Sequence, residues 1–349
     1  MNTLYCTADE IGIQTGGGIV TKHESLALSH LGTGFHHLLE KKILDSAGPE
    51  PWKWDATAAW KIKAKLPLDL VHFYSGTFGD TVHALKQKGT KVCYTIAAHD
   101  KQVSKQEHEK MGWPFPYPHL TDPDLWQRYI RGYKEADVII CPGSVPADTV
   151  RKYGKDFENK RIEIIPHGCD IPENVTLIPQ RFVVGYCGAI GPDKGVRYLL
   201  EAWKRLNYTD ALLCIAGRES TIDLMKAMYQ QWGGGPTWFA GWVPNISDFY
   251  NQISLYVQPS STEGFGLEVI EAMAHARPVL CSKAAGACDL VPEEMRFNAC
   301  DPRDLAYKID VAKKQWDMEK IGLECREVAK ECSWEKIQTK YQAVWKSMF

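Results

Sequence analysis

Two glutamates, Glu263 and Glu271, stand with seven residues between them in the segment Thr262-Glu-Gly-Phe-Gly-Leu-Glu-Val-Ile-Glu271. The apolar run Ile253 to Val257 before them reads as a buried strand, which Pro259 ends. Gly264 and Gly266 then let backbone N–H groups approach a ligand closely. From Leu267 apolar residues recur at helical spacing, so the loop feeds a helix N-terminus, where anions bind. Carboxylates are poor partners for phosphate and good acceptors from sugar hydroxyls. A site with both amide donors and carboxylates suits a nucleotide sugar. An ordinary strand–loop–helix unit is the plain alternative.

Further candidates lie along the chain. Thr15-Gly-Gly-Gly18 opens a helical run at Ile19, either as a ligand-approach loop or as a simple turn. His99 and Asp100 end a strand, where a histidine can donate to a hydroxyl or relay a proton, or merely cap the next segment. Lys194 precedes Gly195 at the start of the second half; a solvated surface lysine is its plain reading. Gly112-Trp-Pro-Phe-Pro-Tyr-Pro-His119 alternates prolines with Trp113, Phe115 and Tyr117. It cannot be a helix or central strand. It reads as an acceptor-binding loop, a packed structural loop or a wedge touching a lipid-linked acceptor. Trp52, Trp54 and Trp60 are read by default as a buried helical face.

The glutamate segment, with Phe239–Pro244 and Ala284–Val291, resembles the retaining GT-B glycosyltransferases of family 4, the glycogen-synthase-like group. Pro166-His-Gly-Cys-Asp170 is similar to that family's segment closing the first domain, with His167 where asparagine is usual. The resemblance implies that Glu263 reaches the donor sugar's hydroxyls and Glu271 those of the ribose. It implies that the amides of Phe265, Gly266 and Leu267 hold sugar and phosphates, and that Lys194 neutralises the diphosphate. It further places His99 near the reacting carbon, and Gly17 and Gly18 over the donor phosphates and acceptor site. The family's arginine, five residues before that lysine, is Ala189 here. Arg218, or Arg197, is a candidate substitute. Glu268 reads as a helix-face residue.

Composition and periodicity supply the frame. The chain has 349 residues, 44% apolar and 24% charged, which is globular and long for a single core. A net charge of −2 gives no reason to bind nucleic acid or an anionic membrane. The eleven cysteines form no Cys-x-x-Cys pair and mostly sit in strand-like runs. They point to a reducing, cytoplasmic setting rather than to disulfides or zinc. No signal-peptide pattern and no apolar run near ~20 residues is visible.

Strands alternate with helices, which predicts an α/β chain. The expected strands are Leu70–Tyr74, Lys91–Ala97, Val138–Cys141, Glu163–Ile165, Phe182–Cys187, Ala211–Ala216, Thr237–Phe239, Leu255–Gln258 and Val279–Ser282. The GT-B resemblance makes these two doubly wound, Rossmann-like domains facing across a cleft. The acceptor-side domain is expected over 1–174 and the nucleotide-sugar domain over 175–333. A last helix, 334–349, should return to the first domain. The expected activity is retaining transfer of a hexose from a nucleotide-diphosphate sugar to an acceptor hydroxyl. No cofactor and no metal is expected, since no acidic triplet or His-x-x-His stands out. The acceptor is a glycan, a lipid-linked molecule or a small molecule, with peripheral membrane contact open. A catalytically silent nucleotide-sugar-binding scaffold is the competing reading. A sugar-nucleotide epimerase or a glycan phosphorylase is a third.

Overall fold

The computed structural model describes residues 1–7, 16–31, 36–39, 58, 61–62, 67–75, 78–115, 123–218 and 222–349. The first half contains β1 (Thr3–Thr7), α1 (Gly16–Ser29), β2 (His36–Leu39), β3 (Leu70–Tyr74), α2 (Gly79–Gln87) and β4 (Lys91–Thr95). It continues with α3 (Lys101–Met111), α4 (Pro123–Glu135), β5 (Val138–Cys141), α5 (Ser144–Arg151) and β6 (Ile162–Ile164). The second half opens with β7 (Val183–Cys187), a 3-10 turn (Pro192–Lys194), α6 (Val196–Leu206), β8 (Leu212–Ala216) and α7 (Ile222–Trp232). Next come β9 (Thr237–Gly241), α8 (Ile246–Asn251), β10 (Leu255–Gln258), α9 (Leu267–Ala274), β11 (Val279–Ser282) and β12 (Arg296–Phe297). Three helices finish the chain: α10 (Pro302–Gln315), α11 (Met318–Lys330) and α12 (Trp334–Lys346).

The strands form two six-stranded sheets, ordered β2-β1-β3-β4-β5-β6 and β12-β11-β10-β7-β8-β9. Every pairing is parallel. Parallel strands need crossovers, and helices supply them, covering the sheet faces. Hence β3, β5, β7 and β10 are buried along their whole length and read as near-continuous apolar runs, interrupted by His72 and Gln258, rather than alternating ones.

The chain divides into two compact units. The first holds Met1–Ala98, Phe115–His167 and Trp334–Phe349; the second holds His99–Pro114 and Gly168–Ser333. The sequence reading assigned 99–114 and 168–174 to the first domain. The packing differs because α3 binds elements of the second half. Ser104 Oγ donates to Asp193 Oδ2 at 3.0 Å, and the Tyr198 hydroxyl donates to Glu107 at 2.7 Å.

In the first unit α12 packs against α1 and β3. The Trp334 ring stacks on His23 at 4.0 Å, and Gln342 donates to the carbonyl of Ala27. A buried polar cluster lies beneath. Trp345 Nε1 donates to His72 Nδ1 at 3.0 Å, which places the imidazole proton on Nε2. That nitrogen faces Glu24 Oε2 at 3.2 Å and Thr95 Oγ1 at 3.1 Å, and the Tyr5 hydroxyl donates to the same Glu24 oxygen. Burial pushes the Glu24 carboxyl up, but His72, Tyr341 and Tyr5 outweigh it and hold the group below its ordinary range.

Strand ends shift by one or two residues from the expected ones. β4 stops at Thr95 rather than Ala97, although the Ile96 amide still bonds the Ile140 carbonyl. β6 runs Ile162–Ile164, and β9 extends to Gly241. β1, β2 and β12 were not among the strands expected. β1 and β2 are short, and β12 has only two residues, too few for a pattern to show.

Candidate active site

Lys194 ends the 3-10 turn after β7, and its placement depends on Gly195. That glycine has φ of 63°, and a Cβ there would lie 1.9 Å from the Pro259 carbonyl oxygen. Only glycine lets this turn press against the end of β10. The contact is tied down by Ser261, whose amide donates to the Asp193 carbonyl at 2.9 Å. The Ser261 hydroxyl meets the Pro192 and Asp193 carbonyls. The lysine is thereby carried to the glutamate loop.

There Lys194 Nζ donates to Glu263 Oε2 in a short ion pair. Ser260 Oγ donates to the same oxygen at 3.3 Å, and Gln258 Nε2 in turn donates to Ser260. The backbone of Glu263 is fixed as well: its amide donates to the Ala284 carbonyl, and its carbonyl accepts from Gly286. Burial pushes the Glu263 carboxyl up, yet the Lys194 and His99 charges prevail and hold it low. Burial pushes Lys194 down, and Glu263 and Glu268 more than offset it. The pair is therefore ionised at neutral pH.

Helix α9 starts directly after this loop. Its N-cap, Gly266, has φ of 93° and offers no side-chain bond. The first amides of a helix have no intrahelical acceptor, and the helix dipole adds positive potential there; here the Glu268 amide bonds its own carboxyl. One face of α9 carries Glu271, whose Oε2 accepts from the Tyr250 hydroxyl at 2.8 Å. Burial raises its carboxyl, and the Tyr250 bond works against that.

His99 is exposed and contributes its charge to Glu263. Asp100, not His99, is the cap: its carboxylate accepts from the amides of Gln102 and Val103, and its own amide donates to Thr262 Oγ1 at 2.8 Å. The second unit thus gathers His99, Lys194, Glu263, Phe265, Gly266, Leu267 and Glu271 around one loop. Phe265 is buried, with its carbonyl accepting from Ala287. Arg218 is exposed just past the end of β8, whose neighbour β7 leads to Ala189. Arg197 is committed elsewhere, bonded to Glu201 at 2.8 Å and set over the Trp232 ring. Gly17 and Gly18 form the first turn of α1 in the first unit. Trp113 and Phe115 are half-buried; Tyr117, Thr15, Trp52, Trp54 and Trp60 lie outside the described residues. His167 is buried, which pushes its imidazole down to about 4 and keeps it neutral.

Comparison with known proteins gives the family of the chain. The family model "Glycosyl transferases group 1" matches residues 181–312, and "Glycosyltransferase Family 4" matches 23–173. By these matches the chain belongs to the group 1 glycosyltransferase family, with the GT-B fold. Over 121 residues it is 33% identical to a capsular polysaccharide biosynthesis glycosyltransferase of Staphylococcus aureus, covering 33% of this chain and 31% of that protein. Over 147 residues it is 32% identical to a lipopolysaccharide core mannosyltransferase of Rhizobium leguminosarum, covering 37% of this chain and 42% of that protein. The matched stretch thus spans well under half the length of these curated relatives. Among solved structures, sucrose-phosphate synthase from Thermosynechococcus elongatus superposes with a TM-score of 0.80 at 18% identity, covering 100% of this chain and 99% of that one. Anabaena HepE in complex with UDP-glucose superposes with a TM-score of 0.69 at 15% identity, covering 99% and 100%.

In this glycosyltransferase several site residues escaped sequence reasoning. Ser260 and Thr262 look like ordinary loop residues, and only their bonds to Glu263 and Asp100 reveal them. Tyr250 sits on another helix, far in sequence from the Glu271 it orients. Glu268 was read as a helix-face residue; instead it is partly buried beside Lys194 and Glu263. Its only sequence signal was a carboxylate in the first turn directly after the glycine loop.

Proposed function

We propose that this glycosyltransferase moves a hexose from a nucleotide-diphosphate sugar to an acceptor hydroxyl, with retention at the anomeric carbon and without a metal. The observation that carries the reading is the ionised Lys194–Glu263 pair, held at the open N-terminus of α9. As the bond between the anomeric carbon and the diphosphate oxygen breaks, its electron pair leaves with the diphosphate. Negative charge grows there, where Lys194 and the first-turn amides stabilise it. Glu263 and Glu271 accept from sugar and ribose hydroxyls, and His99, whose electrostatic influence reaches Glu263, acts beside the reacting carbon. Arg218 supplies a further cation, and Gly17, Gly18, Trp113, Phe115 and Tyr117 serve the donor phosphates and the acceptor. HepE, a structural neighbour, is described in complex with UDP and with UDP-glucose, which supports a nucleotide-sugar donor.

The test is turnover of a panel of UDP-, GDP-, ADP- and dTDP-sugars, read as released nucleoside diphosphate. It is run with and without simple glycoside acceptors, and with and without chelator. Chelator-insensitive release from one donor is the expected result. Ala189 favours one second reading, the silent donor-binding scaffold, because no arginine stands at that position and Arg197 is paired elsewhere. Donor binding without release under any of these conditions would support it.

A further inference from the structure

Glu268 has no role in the site as drawn above, yet it lies inside it. Its Oε1 is 3.3 Å from where a Cβ on Gly188 would stand, so the carboxyl rests against the turn that leaves β7. The groups facing it come from every neighbouring element. They are Lys194 of the 3-10 turn, Glu263 of the loop, and Glu271 of its own helix. Tyr186 and Cys187 approach from β7 and Tyr256 from β10, while the Tyr250 hydroxyl of α8 bonds its carbonyl.

The charge in this space does not balance. Three carboxylates surround Lys194, which bonds Glu263 and, with Arg218, is the cation assigned to the donor. A donor diphosphate would add two more negative charges beside them. Neutralising a carboxylate lowers the electrostatic cost of admitting an anion to such a site. Glu263 is held ionised by Lys194, and Glu271 receives the Tyr250 hydroxyl. Burial, with Glu263 and Glu271 adding to it, outweighs Lys194 and the bond from its own amide and pushes the Glu268 carboxyl up to about 7. As a carboxylic acid it also gains what a carboxylate lacks, an O–H to donate.

We propose that Glu268 is a proton-dependent donor-binding residue: in its acid form it donates a hydrogen bond to the donor diphosphate, so that donor binding takes up one proton. The inference rests on the nucleotide-sugar reading of the site. It makes this glycosyltransferase prefer its donor at slightly acid pH. Above neutrality the site must first be protonated, and affinity falls with the acid fraction.

The experiment is titration calorimetry of the full chain with UDP-glucose, GDP-mannose and ADP-glucose, whose bridged diphosphates do not titrate in the range used. Affinity for whichever probe binds should fall about thirtyfold between pH 6.0 and 8.5. Heats in buffers of different ionisation enthalpy should show nearly one proton taken up at pH 8. Glu268→Gln keeps a donor at that position and cannot ionise. Its affinity should stay within about threefold across the range, with no proton uptake. A flat wild-type affinity with no proton uptake would overturn the inference while leaving the donor reading intact. So would a Glu268→Gln chain that keeps the wild-type slope. A flat wild-type proton count overturns the inference even if the variant does not fold. Binding by no probe at any pH would overturn the inference together with the donor reading.

Discussion

On the proposed function Lys194 and Glu271 divide the donor between them, so their removal should have different signatures. Lys194→Ala removes the charge that meets the leaving diphosphate, and it leaves the Glu263 carboxylate buried without its cation. Turnover of the preferred donor should fall about a hundredfold to a thousandfold, mostly in kcat. A loss confined to KM in steady-state kinetics would show that the lysine only anchors substrate. Glu271→Ala should weaken donor binding about tenfold, since a charged acceptor for the ribose hydroxyls is lost. The melting temperature should change little, because that carboxylate is only half-buried and touches Tyr250. Unchanged affinity in calorimetry would remove its ribose role. Ala189→Arg tests the neighbouring position. It should tighten donor binding about tenfold if the space beside Gly188 is open to a guanidinium. Unaltered or weaker binding would mean that another group already fills it.

The elements around the site show why short motifs position it so firmly. The 3-10 turn, the loop after β10 and the start of α9 meet through backbone bonds, and two left-handed glycines make those approaches possible. Gly195→Ala would drive a methyl group into the Pro259 carbonyl. It should cost about 3 kcal/mol of stability, read as a lower urea midpoint, and should move Lys194 away from Glu263. An alanine variant with wild-type stability and turnover would show that the turn has room to shift. Much of this level was legible in sequence. β3, β5, β10 and β11 fall where their apolar runs place them, because a parallel strand covered on both faces is apolar along most of its length. Strand ends were less legible, since backbone bonding continues past the apolar residues at Ile96 and stops short elsewhere.

At the scale of the whole molecule, the first unit contains a buried acid whose charge is tied to stability. Glu24 is held below its usual range by His72, Tyr341 and Tyr5 against the cost of burial. A carboxyl lowered in the folded state contributes stability that is present above its unfolded value, near 4.5, and is lost as pH falls below it. Acid unfolding of the wild type should therefore steepen below about pH 4.5. Glu24→Gln should flatten that limb and lower stability at neutral pH by about 3 kcal/mol, since His72 loses its partner. An unchanged acid limb in pH-dependent denaturation would show that the cluster does not carry the charge. The network joins α1, β1, β3 and α12, residues more than two hundred positions apart in sequence, and no local pattern announces it.

The sequence by itself determined the α/β character, the placement of the main strands, and the family, through the run from Thr262 to Glu271 with Lys194-Gly195. These features are local: periodicity and glycine spacing are set by the chain's own neighbours. Tertiary structure alone decided that α3 belongs with the second half, that Asp100 rather than His99 caps it, and that Tyr250 orients Glu271. It also decided that Glu268 is a site acid. Burial and the charge of other carboxylates set its protonation, and both exist only once distant strands and loops have been packed around it.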